Sequence, residues 1–131
     1  MEELFKPHGS SVIYTEGNIL VIDAEGPWND EFFLKFHAEL IEIAKELDIN
    51  NYATLIMPRG EALGVQDGLE RHVAFVRKSG SKALAICLKH SSIPDISRFM
   101  CTKMYDQVGI EYQFFDEEDD AKVWLLTFTS A

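Results

Sequence analysis

The chain has 131 residues, 47% of them hydrophobic and 26% charged, with 22 acidic against 12 basic side chains and a formal net charge of −10. That length matches one ordinary domain with one real core, and the composition lies far from the polar, highly charged corner of disordered chains. The negative excess repels phosphate backbones, so generic nucleic-acid binding is not expected.

Met1 to Ser10 carry Glu2, Glu3 and Lys6 but no apolar run, unlike a secretory signal. No window approaches the roughly 18 apolar residues of a membrane span. Val12 to Thr15 and Ile19 to Ala24 are β-branched runs separated by Glu16, Gly17 and Asn18, a pattern that predicts an antiparallel hairpin. Gly26 and Pro27 are expected to stop the second strand. Asn29 then offers an N-cap, with Asp30 and Glu31 at the positive end of a helix dipole. Phe33, Phe36, Leu40, Ile43, Ala44 and Leu47 recur at helical spacing and define the buried face of a long first helix.

Tyr52 to Met57, expected to end at Pro58, and Ala83 to Leu88 are nearly continuous apolar runs, as central parallel strands covered on both faces require. Between them Val65, Leu69, Val73 and Val76 mark a second helix that ends near Ser79 and Gly80. Ser92 is the expected cap of a third helix, with Pro94 and Asp95 in its first turn and a core stripe of Ile93, Ile96, Met100, Met104 and Val108. Gly109 closes it. Glu111 to Phe115 reads as a last short strand and Glu118 to Leu126 as a final helix. The order β-β-α-β-α-β-α-β-α predicts one α/β domain over residues 1–131. Its sheet is mostly parallel, with about five strands, an antiparallel N-terminal hairpin and about four helices.

Cys87 falls in a predicted strand and Cys101 in a predicted helix, without metal-ligand spacing, so both are expected to be buried free thiols in a reducing cytoplasm. There is no G-x-S-x-G elbow and no G-x-G-x-x-G. Gly60, Gly64 and Gly68 lack the Lys-Ser pair of a phosphate loop. The acidic run Asp116 to Asp120 reads as a solvated helix start, since a calcium loop needs alternate spacing and a turn glycine. His37 and His72 sit on or beside apolar helical arcs and read as satisfied residues at the core edge. No catalytic residue, metal or cofactor is expected, and the chain reads as a binding module.

Four residues near the carboxyl ends of the strands are the candidate ligand contacts, where open α/β sheets bind ligands: Trp28, Arg59, His90 and Ser91. Trp28 either walls a cleft or staples the first helix against Phe33. His90 and Ser91 serve either loop and capping roles or, in an enzyme reading, catalysis with a converging carboxylate. On the second helix, Leu69, Val73 and Val76 share a face that leaves Phe75 pointing outward between Arg71 and Lys78. An aromatic flanked by cations is how a helix meets an anionic membrane or a partner groove. Residues 59 to 103 are also the basic part of the chain, with 8 basic and 4 acidic groups.

The opening hairpin, the turn Gly26-Pro27-Trp28-Asn29, the run Ala53 to Pro58 and the closing Asp119-Asp120-Ala121-Lys122-Val123-Trp124-Leu125 together resemble the SpoIIAA-like, STAS-type family across nearly the whole chain. The resemblance implies a SpoIIAA-like fold and a non-enzymatic module. Relatives act as anti-sigma factor antagonists or regulatory domains of anion transporters, some bind nucleotides, and the fold is similar to lipid-binding CRAL-TRIO domains. Antagonists carry a phosphorylatable serine at the start of helix two. Here the matching stretch Met57 to Gly64 has none, and no Ser or Thr occurs from Leu55 to Lys78. The expected function is a cytoplasmic module that binds a small apolar or amphipathic molecule beneath a mobile second helix, or attaches peripherally to an anionic inner membrane surface. The alternative is a regulatory module that binds a protein partner.

Overall fold

In the computed structural model residues 6–129 are described, and they form a five-stranded sheet with four helices. In chain order these are β1 (Ser10–Glu16), β2 (Ile19–Trp28), α1 (Asp30–Ala44), β3 (Ala53–Gly64), α2 (Gln66–Ser79), β4 (Ala83–Cys87), α3 (Pro94–Val108), β5 (Glu111–Phe115) and α4 (Glu118–Leu126). The sheet order is β1-β2-β3-β4-β5, with β1 antiparallel to β2 and every later pair parallel. The expected element order and the mostly parallel sheet with its antiparallel hairpin are therefore present.

Sequential order has a geometric consequence. When parallel strands follow one another in a single direction, crossovers of one hand place their helices on one side of the sheet. The side chains divide accordingly. Leu20, Ile22, Ile56, Leu84 and Ile86 pack under α1, α2 and α3, while Val21, Leu55, Ala85 and Cys87 pack under Ala121 and Leu125 of α4. Because both faces are covered, all five residues of β4 are buried, as its unbroken apolar run requires. Cys87 and Cys101 are buried free thiols.

Local signals place the helix ends. Asn29 Oδ1 accepts the Phe32 N–H at 2.9 Å, capping α1. Gly80 closes α2 in the left-handed region at φ 78°, which a β-carbon disfavours. Gly68 answers a different need. A β-carbon there would run into the Phe33 ring, so the glycine lets α2 close down on α1.

Three expectations need correction. Pro58 does not end β3, which pairs with β2 onward through Ala24–Pro58 and Gly26–Gly60. Pairing with β4 covers only Thr54 to Ile56, so Pro58 lies where β3 has one neighbour and tolerates a missing donor. Gly26 and Pro27 likewise do not stop β2. It continues to Trp28 with a register shift between Gly26 and Trp28. Finally, Ser92 does not cap α3. Ser91 Oγ accepts the Ile93 N–H at 3.1 Å, a turn two residues long that precedes the helix.

Candidate functional site

The carboxyl halves of α1 and α2 do not meet over the sheet, and a cavity of about 410 Å³ separates them. Its floor is Leu20, Ile22, Ile56 and Leu84 from the three central strands, and its walls include Leu40, Ile41 and Ala44 of α1 with Phe75 and Val76 of α2. Tyr52, one residue before β3, and Ser81, two residues before β4, also line it, together with Thr54, Lys78 and Ser79. The cavity therefore lies at the amino ends of the parallel strands. The carboxyl ends, where ligands of open α/β sheets are expected, are elsewhere. Exposed Ile41 and Lys78 stand at its mouth.

One wall is polar. His37 of α1 and His72 of α2 are 7% and 5% exposed, and their rings meet with Nε2 of His37 3.0 Å from Nδ1 of His72. On its other side, His72 Nε2 lies 3.1 Å from the hydroxyl of fully buried Tyr105 on α3. This network has one satisfiable direction. The Tyr105 hydroxyl has no other acceptor among the described residues, so it donates to His72 Nε2. His72 must then carry its proton on Nδ1 and donate to His37 Nε2, which leaves the His37 proton on Nδ1.

Burial holds both imidazoles neutral. Desolvation lowers His37 to about 4, assisted by the Arg71 charge and opposed by Asp30, and it lowers His72 to about 3. With both ring nitrogens engaged, His72 is a poor general base toward anything in the cavity. The same burial pushes the Cys101 thiol up to about 12, away from nucleophilic use.

Phe75 does not point outward. Its ring is half-buried and stacks on His37, with centroids 4.2 Å apart. The expected outward position counted only the sheet-facing arc of α2, whereas α1 also covers the flank on which Phe75 lies. Arg71 turns to Asp30 in a two-pronged pair of 2.7 and 3.1 Å, and that hydrogen bond holds the Asp30 carboxyl below its usual range. Lys78 remains exposed at the cavity mouth, so Arg71, Phe75 and Lys78 do not form one outward surface.

The other four candidates lie at the opposite end of the sheet. Arg59 pairs through two nitrogens with Asp23 at 2.8 and 3.1 Å. His90 is exposed, and its carbonyl accepts the Gly60 N–H. Ser91 Oγ is 2.9 Å from Ser97 Oγ, whose proton goes to the Ala62 carbonyl, so the Ser91 proton is the one shared between them. Backbone bonds thus bring Arg59, His90 and Ser91 into one neighbourhood, but none of the three borders the cavity. Trp28 is buried against Phe32 and Phe33, the stapling geometry, and borders a separate void of about 40 Å³. The residues not foreseen as a site are Tyr52, Thr54, Ser79 and Ser81, which flank strand starts in the sequence and carry no motif.

A third concavity, a groove of about 530 Å³ between α2 and α3, is bordered by exposed Leu63, Ile96 and Phe99 with Glu70 and Lys103. No helix among the described residues is long and apolar enough to cross a membrane.

No family model matches the chain, and no curated protein matches it. Among solved structures it is similar to an uncharacterized protein of the DUF3478 family with a SpoIIAA-like fold from Shewanella loihica PV-4. The TM-score is 0.63 at 14% identity, covering 92% of this chain and 95% of that one. The protein has a SpoIIAA-like α/β fold.

Proposed function

We propose that the protein is a non-catalytic module that binds an apolar or amphipathic small molecule beneath α2. The observation that carries this reading is the cavity between α1 and α2. Its volume falls in the usual range for small-molecule sites, roughly 300–1,000 Å³, and its lining is mostly aliphatic and aromatic with polar groups gathered at one end. The engaged, neutral His72 and the absence of a nucleophile paired with a free base at the cavity, among the described residues, support binding over catalysis. The exposed mouth residues allow entry along the carboxyl half of α2, which acts as a movable cover. Peripheral membrane attachment has less support, because Phe75 and Arg71 are turned to α1.

Titration with the neutral, environment-sensitive dye Nile red tests the reading. Saturable binding by the wild type and its loss in Ala44→Phe, which fills the cavity, is expected. Equal dye binding by both proteins would count against it.

A regulatory protein-interaction role is the second reading, favoured by exposed Leu63, Ile96 and Phe99 around the groove between α2 and α3, Phe99 being 65% exposed. A specific partner lost on Phe99→Glu would support it.

A further inference from the structure

The polar end of the cavity has a definite hydrogen inventory. Ser81 Oγ donates its single proton to the Ala83 carbonyl at 3.0 Å, so the 2.9 Å contact between Thr54 Oγ1 and Ser81 Oγ must use the Thr54 proton. The Tyr52 hydroxyl donates to the Ser79 carbonyl at 2.7 Å. Ser79 Oγ donates to the Val76 carbonyl at 2.8 Å. Every hydroxyl proton at this end is committed within the protein, and what these four side chains still offer a ligand is lone pairs.

The surrounding field agrees in sign. The carboxyl end of α2 lies here, the negative end of the helix dipole. The chain as a whole carries a net charge of −10. Lys78 is the opposing charge, but it is exposed, and a cation in high dielectric gives an anion little. A carboxylate head brings acceptors only and would face the lone pairs of Thr54 and Tyr52. A hydroxyl head donates to one of those oxygens and accepts from the Lys78 ammonium.

Resting on the cavity reading above, we propose that the ligand is an amphiphile with an apolar tail and a neutral, hydrogen-bond-donating head, of the long-chain alcohol class, seated with its hydroxyl against Thr54 and Tyr52. A long-chain carboxylate is discriminated against.

Calorimetric titration of the full chain with 1-decanol and with decanoate at pH 8, both below their solubility and micelle limits, tests this. The tails match, so the comparison isolates the head. Decanol is expected to bind at least tenfold more tightly. Because an alcohol also partitions better into any apolar space, the gap must narrow by several-fold in Thr54→Val or Tyr52→Phe, each checked for folding by circular dichroism. A gap unchanged in both folded variants overturns the assignment. So does decanoate binding as tightly as decanol in the wild type, with a loss on Lys78→Gln. If both ligands bind equally and Ala44→Phe abolishes both, the cavity reading stands and the head-group assignment falls. If neither ligand binds, both fall.

Discussion

The Phe75 ring lies on the His37 imidazole with the two planes within 5° of parallel, joining α2 to α1 at the edge of the cavity. A carboxylate in place of that ring loses the stacking and brings an unpaired charge against a buried imidazole. Phe75→Asp is therefore expected to lower stability by about 2–4 kcal/mol, a little under the roughly 3–5 kcal/mol for losing a fully packed aromatic because the ring is half-buried. Urea unfolding measures it. An unchanged midpoint together with loss of binding to anionic vesicles would instead restore the outward, lipid-facing role expected from helical spacing.

The His37–His72–Tyr105 network makes a directional statement that nitrogen NMR can read. At pH 7.5 both histidines are expected as the neutral Nδ1–H tautomer, because Tyr105 donates to His72 Nε2 and His72 donates onward. Observation of His72 protonated on Nε2 would contradict the assigned direction. Tyr105→Phe leaves His72 Nε2 without its donor in a buried site, and a cost of roughly 1–3 kcal/mol follows.

Both imidazoles titrate below their ordinary range, so acid weakens the fold before the carboxylates titrate. Between about pH 6.5 and the folded values of about 4 and 3, the unfolded chain takes up protons at His37 and His72 while the folded chain does not. Stability present above pH 6.5 is thus lost as pH falls. Asp30 and Arg71 are the charged groups that act on His37, and they remain paired through this window. Going from pH 7.5 to pH 5 is expected to cost roughly 4 kcal/mol in urea unfolding, about half from each imidazole. His37→Phe should flatten that dependence, and a wild type equally stable at both pH values would show that the pair is not held neutral.

Much of the fold was legible because its signals are local. The apolar runs of β3 and β4, the Asn29 cap, the Gly80 terminus and the bounds of β5 and α4 each depend on a few adjacent residues. The sequence misled where the answer depends on which strand or helix lies alongside. Pro58 reads as a terminator unless one knows that β4 has ceased to pair there. Phe75 reads as outward unless one knows that α1 flanks α2. The cavity was hidden for the same reason: Ala44, Thr54 and Val76 look like ordinary core residues, and only the spacing of two helices shows that they do not touch across the gap. His37 and His72 were readable as satisfied residues, but that each satisfies the other was not.

Gly68 tests that helix spacing. A β-carbon there must displace the Phe33 ring, so Gly68→Ala is expected to destabilise by about 1–3 kcal/mol, although alanine is the better helix former. Thermal unfolding would show it, and a stabilised variant would mean that α1 and α2 are not this closely packed.

The location of the ligand site is checked most directly by amide NMR of the full chain titrated with 1-decanol. The largest shifts are expected at Ile41, Tyr52, Thr54, Phe75 and Ser79, around the amino ends of β3 and β4. Shifts confined to Trp28, Arg59, His90 and Ser91, or none at saturating ligand, would contradict a binding site beneath α2.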